Sequence, residues 1–210
     1  MRTRWLVGAT IGLLVVGVWL LFGRSPRIAH LGPREGPIVV LGDSLAAGVG
    51  AKSGRGYVKI LEERLKVPMV NRGIPGNTTR QGLERLERDV LTQKPALVIL
   101  ELGGNDFLQR VPTDETFANL EEMVRRIHAQ GAPVLLIGVQ SGVFMDKQEK
   151  RYRELASRHQ TAYVPNILKG ILTNPGLKDD AIHPNDAGYE VVADRIEPTL
   201  RQMLKKMHRI

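Results

Sequence analysis

The sequence predicts an α/β fold, a parallel sheet of about five strands covered by helices on both faces. The 210 residues suit one domain of ordinary size. The composition, 42% hydrophobic and 25% charged, is that of a globular protein with a sizeable core and excludes wholesale disorder. Short apolar runs alternate along the chain with longer amphipathic stretches, which is typical of right-handed βαβ units.

Five short apolar runs are predicted to be the buried strands, at residues 38–41, 69–70, 97–100, 134–137 and 162–164. Between and after them, apolar residues recur at spacings of three and four, as at Leu83, Leu86 and Val90, which is the period of an amphipathic helix. The helices are predicted at residues 57–65, 81–91, 117–130, 148–159 and 187–207.

A separate apolar segment precedes this domain. Residues 5–22 are 18 consecutive uncharged, mostly apolar residues with arginines on both sides. As a helix they would span roughly 27 Å, close to the ~30 Å hydrocarbon thickness of a bilayer. We expect residues 1–27 to be a transmembrane signal anchor in the inner membrane, residues 28–37 a linker, and residues 38–210 an extracytoplasmic or periplasmic domain. The alternative is a cleaved signal peptide and a secreted domain, although residues 23–26 form a poor cleavage site.

Charge and aromatic content argue against a nucleic-acid partner. The formal net charge is +8, but residues 1–27 hold four arginines and no acid, which leaves 26 basic and 22 acidic residues and a charge of +4 for the rest. Aromatic residues make up only 5%, too few and too scattered for a base-stacking platform. The absence of cysteine excludes disulfides, thiolate nucleophiles and Cys-rich zinc sites.

Four polar, glycine-rich loops follow the predicted strands or precede the last helix. They are residues 42–45 (G-D-S-L), 71–78 (N-R-G-I-P-G-N-T), 101–106 (E-L-G-G-N-D) and 179–185 (D-D-A-I-H-P-N). In an open parallel sheet the loops beyond the carboxyl ends of the strands carry function. Each loop alone is also explained by a turn or a helix cap, but together they supply a complete chemistry.

That chemistry is nucleophilic catalysis. A serine needs a base, the base needs an acid to orient it, and the oxyanion needs preorganised donors. Ser44 is the candidate nucleophile, and His183 lies three residues after Asp180, so both side chains can reach one cleft. Asn105 offers a side-chain N–H, and Gly76 has no side chain to keep its backbone N–H from a reacting oxygen. The G-x-S-x-G elbow of α/β-hydrolases is absent.

These loops resemble, in order, the sequence blocks of the SGNH or GDSL hydrolase superfamily, and the resemblance covers residues 38–210. G-D-S-L carries Ser44, Gly76 lies in the second block, G-G-N-D carries Asn105, and D-A-I-H-P carries Asp180 and His183. Within the superfamily, the chain is similar to the bacterial arylesterase and periplasmic thioesterase/lysophospholipase group. The resemblance implies a flavodoxin-like three-layer sandwich and an esterase that acts on small-molecule or lipid esters or thioesters without a cofactor.

The resemblance also implies a role for each residue. Ser44 attacks the ester carbonyl, His183 carries the proton, and Asp180 orients His183. The backbone N–H groups of Ser44 and Gly76 and the amide of Asn105 form the oxyanion hole. One departure is Asn77, where the group commonly has aspartate, so a hydrogen bond that orders this loop is expected to differ.

The same loops also allow other assignments. Asp43 and Asp106 are expected to brace loops, and Asp179 competes with Asp180 as the triad acid, although the three-residue spacing favours Asp180. A metal-dependent phosphoesterase would instead use Asp43, Asp106, Asp180 and His183 as ligands. A membrane-tethered, catalytically silent binding module would keep the fold without the chemistry. A nucleotide-binding loop at residues 48–54 fits neither phosphate-binding template.

Two loops are expected to border the cleft and to favour an apolar acyl group. Their apolar residues are Phe107, Leu108, Val111, Val143, Phe144 and Met145.

Overall fold

The structure is a computed structural model that describes residues 27–140 and 145–210. Its five strands form one parallel sheet in the order β2-β1-β3-β4-β5. The strands are β1 (Ile38–Gly42), β2 (Met69–Gly73), β3 (Leu97–Glu101), β4 (Val134–Ile137) and β5 (Ala162–Val164). This is the flavodoxin-like strand order, so the predicted α/β fold with five parallel strands is confirmed.

The helices are α1 (Ser44–Ala47), α2 (Tyr57–Leu65), α3 (Thr79–Asp89), α4 (Gly104–Leu108), α5 (Thr113–Ala129), α6 (Met145–His159) and α7 (Asp186–Lys206). The five long helices were predicted to within four residues at each end. The short helices α1 and α4 were not predicted, because four or five residues are too few to show a helical period.

Helices cover the sheet on both faces, which gives the three layers. Successive residues of β1 point to opposite sides: Ile38 and Val40 pack with α2 and α7, whereas Val39 and Leu41 pack with α3, α5 and α6. Every residue of β1, β3 and β4 is buried. The centre of the sheet is therefore a rigid platform, and the loops at its carboxyl edge are held in place from below.

Residues 28–37, expected to be a linker, are instead packed on the domain. The Ala29 N–H donates to Gln160 O over 2.8 Å, just before β5. The Arg34 guanidinium donates to Gln130 O over 2.7 Å and to Pro95 O over 3.0 Å, just before β4 and β3. This segment therefore crosses the amino edge of the sheet, opposite the loops that carry the candidate site.

The predicted transmembrane anchor lies outside the described residues, apart from Arg27. Within residues 27–140 and 145–210, no helix has both the length and the apolarity that a membrane crossing requires. The N-terminal segment therefore stays a prediction from sequence.

Candidate active site

Ser44 lies where β1 ends and opens the four-residue helix α1. Asp43 caps this helix, because its Oδ1 accepts a hydrogen bond from the Leu45 N–H over 2.9 Å. Gly42 makes the turn possible: a Cβ there would lie 2.6 Å from Oε2 of Glu101, which occupies the space beneath the loop. The serine is thus presented at the carboxyl end of β1.

The backbone N–H groups around Ser44 differ in whether they have a hydrogen-bond acceptor. Oε2 of Glu101 accepts from the N–H of Ala46 over 3.2 Å and from that of Asp43 over 3.4 Å. Leu45 donates to the Asp43 carboxylate. Among the described residues, no acceptor binds the N–H of Ser44 itself. Two carboxyl groups therefore hold the flanking N–H groups and leave the one at Ser44 available for a ligand.

Ser44, His183 and Asp180 form a continuous chain of short contacts. Ser44 Oγ lies 2.9 Å from His183 Nε2, and His183 Nδ1 lies 2.7 Å from Asp180 Oδ2. The other oxygen of Asp180 accepts from the backbone N–H groups of Ile182 and His183, both over 2.8 Å. The Asp179 N–H donates to His183 O and closes the loop. The three-residue spacing thus brings acid and imidazole together as expected.

The pKa of Asp180 is low for a physical reason. Its partial desolvation acts to raise the pKa, but hydrogen bonds from the His183 side chain and from the backbone of Ile182 and His183 outweigh this, and the pKa falls to about 2. Asp180 is therefore ionised at any pH at which the protein would work and can hold a protonated His183.

Asp43 shows the opposite shift. Burial raises its pKa from 3.8 to about 6, even though the hydrogen bond from Leu45, the charge of His183 and the hydrogen bond from Asn105 act to lower it. Asp43 therefore changes charge in a range in which enzymes are commonly assayed, next to the candidate nucleophile.

Asn105 lies beside Ser44 in the same cleft. Its Nδ2 donates to Asp43 Oδ2 and to the backbone oxygen of Asn77, each over 3.1 Å. The structure thus links the first, second and third sequence blocks through one amide. Use of this amide by a bound oxyanion requires that one of the two hydrogen bonds be given up or shared.

Gly76 lies in the loop after β2 with φ of +80°, and a Cβ there would meet no neighbour. Glycine is thus favoured at this position by the left-handed backbone conformation and not by a lack of room for a side chain. Within the described part of the chain, its N–H has no acceptor. Gly76 does not line the small cleft around Ser44, but the next residue, Asn77, contacts Asn105, so the loop borders the site.

Asn77, at the position where the related group commonly has aspartate, binds a buried arginine. Asn77 Oδ1 accepts from Arg85 Nε over 2.8 Å, and the same buried guanidinium donates to Arg72 O and Gly42 O, each over 2.9 Å. Arg85 thus ties the ends of β1 and β2 to the second block. An aspartate at position 77 would place a charged acceptor against Arg85, whereas Asn77 offers a neutral one.

The remaining acids of these loops have other partners. Asp106 is buried and accepts from the N–H of Thr79 over 2.8 Å and from its hydroxyl over 2.5 Å. Asp179 lies 3.8 Å from Lys52. Among the described residues, no three His, Cys, Asp or Glu side chains are arranged to hold a metal ion. The four ligands proposed for a phosphoesterase therefore do not converge.

Apolar side chains line the open cleft around Ser44 and His183. They are Leu45, Leu108, Val139, Leu168, Leu172 and Ile182. Only Leu108 was among the apolar residues expected at the cleft. Phe107 and Val111 line a neighbouring cavity on the other side of Val139. Val143, Phe144 and the side chain of Met145 lie outside the described structure.

Sequence reasoning missed two residues that organise the site, Glu101 and Arg85. Glu101 ends the otherwise apolar strand L-V-I-L-E, and a carboxyl group at the end of a buried strand was an available signal. Arg85 lies on the buried face of α3 beside Leu86, where a charged residue needs partners. Neither signal names those partners, which lie far away in the sequence.

The chain is similar to several known proteins. The profile of the GDSL-like lipase/acylhydrolase family matches residues 40–191. Esterase TesA of Pseudomonas aeruginosa is 34% identical over 178 residues, which cover 80% of this chain and 89% of that protein. The arylesterase of Vibrio mimicus is 30% identical over 178 residues, with coverage of 78% and 87%.

The thioesterase 1/protease 1/lysophospholipase L1 of Escherichia coli K12 is 27% identical over 175 residues, which cover 80% of this chain and 84% of that protein. A crystal structure of TesA superposes with a TM-score of 0.75 and 34% identity, over 80% of this chain and 99% of that one. Sequence and fold therefore agree on the same set of relatives.

Proposed function

Because the chain belongs to the GDSL-like lipase/acylhydrolase family and is an ester-bond hydrolase, we propose that Ser44, His183 and Asp180 are its catalytic triad. The observation that carries the proposal is the contact chain from Ser44 Oγ to His183 Nε2, 2.9 Å, and from His183 Nδ1 to Asp180 Oδ2, 2.7 Å. A hydroxyl, a base and an orienting carboxylate at these separations are the parts that nucleophilic acyl transfer needs.

In the proposed reaction, His183 Nε2 accepts the proton of Ser44 Oγ as the oxygen attacks the carbonyl carbon of the ester. The imidazolium is stabilised by Asp180, which keeps its negative charge because its pKa is about 2. His183 then returns the proton to the departing alcohol or thiol, and an acyl group remains on Ser44. A water molecule, deprotonated by His183, releases the acid and restores the serine.

The oxyanion formed during attack needs donors close to Ser44. We assign this role to the N–H of Ser44, the N–H of Gly76 and the amide of Asn105. The first is supported by its lack of an acceptor while its neighbours are bound by Asp43 and Glu101. Donors fixed in advance stabilise developing charge without reorganisation during the reaction.

The substrate class we propose is a carboxylic ester or thioester with an apolar acyl or aryl group. Its support is the apolar lining of the cleft and three exposed apolar side chains at the same edge of the sheet, Ile74, Leu108 and Ile182. The relatives named esterase, arylesterase and thioesterase/lysophospholipase agree with this class. Hydrolysis of p-nitrophenyl esters of graded chain length would define the preferred acyl group.

The nucleophile assignment is tested with an organophosphonate and the Ser44→Ala variant. The probe should label Ser44 stoichiometrically, and the variant should lose labelling and at least about 10³-fold in kcat. Ser53→Ala is a matched control, because Ser53 is an exposed serine that binds Asp186 outside the triad. Esterase activity that survives Ser44→Ala would remove this residue from the mechanism.

We also propose that residues 1–27 anchor the protein in the inner membrane and leave the hydrolase domain outside the cytoplasm. The support is the 18-residue apolar run and the poor cleavage site after it. Carbonate washing and N-terminal sequencing of the native protein test this. Release into the soluble fraction with a new start near residues 25–30 would indicate a cleaved signal peptide.

A further inference from the structure

Opposite the active site, the domain presents a basic surface, which we call the amino-edge face. Its exposed cations are Arg27, Lys66, Lys94, Lys205 and Lys206. Helices that connect parallel strands run back across the sheet, so the ends of α2 and α7 and the turn before β3 all lie at this edge. Within the described structure, none of these five side chains has a carboxylate within ion-pair distance.

The acids near this face do not cancel that charge. Asp89 is paired with Arg85 and Arg88, and Glu121 is paired with Arg158. Glu35 is the exposed acid that remains in the packed N-terminal segment. Cations at helix C-termini stabilise helices, which accounts for single lysines at this face. It does not account for their position beside the N-terminal segment.

The N-terminal apolar segment joins the domain at this same face. Residues 28–37 are held across the amino edge by hydrogen bonds from Ala29 and Arg34. Only five residue steps separate Phe22, the end of the apolar run, from Arg27, and an extended chain of that length reaches at most ~18 Å. A membrane-spanning segment would thus hold the face close to the lipid headgroups.

We propose that the amino-edge face rests on the anionic surface of the bilayer that holds the N-terminal segment, so that the active site opens away from that bilayer. This rests on the anchor proposed above. The unpaired cations complement anionic headgroups, and the packed segment fixes which side of the domain approaches them.

The orientation limits the substrate. The five residues of β1 alone separate Ser44 from the amino edge by roughly 17 Å. The exposed Ile74, Leu108 and Ile182 then face the aqueous side. The enzyme would take soluble esters, or single amphiphiles dispersed in water, in preference to lipids embedded in its own leaflet.

The orientation is measured by energy transfer, and the absence of native cysteine makes single-cysteine labelling clean. A donor is placed on Thr92→Cys, beside Lys94 at the amino edge, or on Thr113→Cys, at the start of α5 on the opposite edge. The full chain is reconstituted into vesicles with an acceptor on the headgroups, made of phosphatidylcholine alone or with one quarter phosphatidylglycerol. We expect stronger transfer from position 92 than from position 113 in the anionic vesicles.

Two comparisons test whether charge causes this orientation. Replacement of Lys66, Lys94, Lys205 and Lys206 by Gln should reduce the difference between the two labels, as should about 1 M salt, where the Debye length is ~3 Å. A matched variant with Lys52, Lys59, Lys150 and Lys169 replaced by Gln should keep it. Equal transfer from both labels, or stronger transfer from position 113, would overturn the proposal, and the latter would assign lipid contact to the apolar residues around the cleft.

If the N-terminal segment is not an anchor, a separate experiment tests the amino-edge face. If N-terminal sequencing shows a cleaved chain, the mature protein is sedimented with the same vesicles. The amino-edge face then predicts binding to anionic vesicles that falls at least about 10-fold when the four lysines are replaced. Equal binding to both vesicle types, or none to either, would overturn the surface assignment even if the hydrolase chemistry holds.

Discussion

Asn105 Nδ2 donates a hydrogen bond to Asp43 Oδ2 over 3.1 Å, which joins the short helix α4 after β3 to the residue before Ser44. The same carboxylate caps α1 through the Leu45 N–H. Asp43 thus sets both the turn that presents the proposed nucleophile and the orientation of a proposed oxyanion donor. The loop brace expected from sequence is therefore also a link between two parts of the site.

Asp43→Asn should lower kcat about 10-fold, because an amide can still accept from Leu45 but presents an N–H group to the amide of Asn105. Burial raises the pKa of Asp43 to about 6, so its ionised form, which accepts both hydrogen bonds, is complete only above that pH. The pH profile of kcat should therefore lose a contribution near pH 6 in the variant.

The same shift has a consequence for stability. Because the folded-state pKa of Asp43 is raised above 3.8, its favourable contribution is present below pH 3.8 and is lost as the pH rises through about 6. The free energy of unfolding of Asp43→Asn, relative to that of the native chain, should thus improve from pH 4 to pH 7. Urea unfolding at several pH values measures this, and a pH-independent difference would contradict the raised pKa.

Asn105→Ala should lower kcat by about 10²- to 10³-fold with little change in KM, because an oxyanion donor acts on charge that develops in the transition state. Asn119→Ala is a suitable control: Asn119 donates to the hydroxyl of Thr79 and does not line the cleft. If Asn105 only braces its loop, the variant will lose thermal stability while the folded enzyme turns over normally.

Asp180→Asn should lower kcat by about 10³- to 10⁴-fold, because its one amide oxygen would accept from the backbone N–H groups of Ile182 and His183 and its NH2 group, which cannot accept the Nδ1–H or stabilise the imidazolium, would face His183. Asp179→Asn separates this from a general effect on the loop, because Asp179 lies next in the sequence but near Lys52. Equal losses in the two variants would reopen the choice of triad acid.

Much of this architecture could be predicted because its signals are local. Buried strands such as β4 are continuous apolar runs, and long helices repeat their apolar positions. The proposed triad could be located because Asp180 and His183 share one short loop and Ser44 directly follows a strand. Sequence alone could not give the distance between Ser44 and His183, which are 139 residues apart.

The residues that were missed act over long separations. Arg85 contacts Gly42, 43 residues before it, and Glu101 contacts Asp43, 58 residues before it. The packing of residues 28–37 likewise depends on Gln130 and Gln160, which no pattern in the segment itself reveals. Such contacts follow from the strand order, which a helix and strand pattern does not specify.

Glu101 provides the last prediction. It is fully buried, and its Oε2 accepts from the N–H groups of Asp43 and Ala46, whereas its Oε1 has no hydrogen-bond partner among the described residues. Burial, and then the nearby charge of Asp43, raise the pKa of Glu101 well above its ordinary value of 4.5, so the fold favours the neutral acid. Glu101 is thus proposed as a positioning residue that holds the turn and leaves the Ser44 N–H free.

Glu101→Gln should keep kcat within about 3-fold, because glutamine is neutral and retains an oxygen for the two N–H groups. Glu101→Leu should lower kcat and also the free energy of unfolding, since each unsatisfied buried N–H costs about 1–3 kcal/mol.

The raised pKa of the native carboxyl means that its contribution to stability is complete below pH 4.5 and is lost as the pH rises. Glu101→Gln should therefore gain stability relative to the native chain toward alkaline pH. Urea unfolding and kcat per labelled Ser44 distinguish the outcomes: a leucine variant that is less stable but turns over normally would make Glu101 a packing residue only. A glutamine variant as impaired as the leucine variant would show instead that the site needs the negative charge.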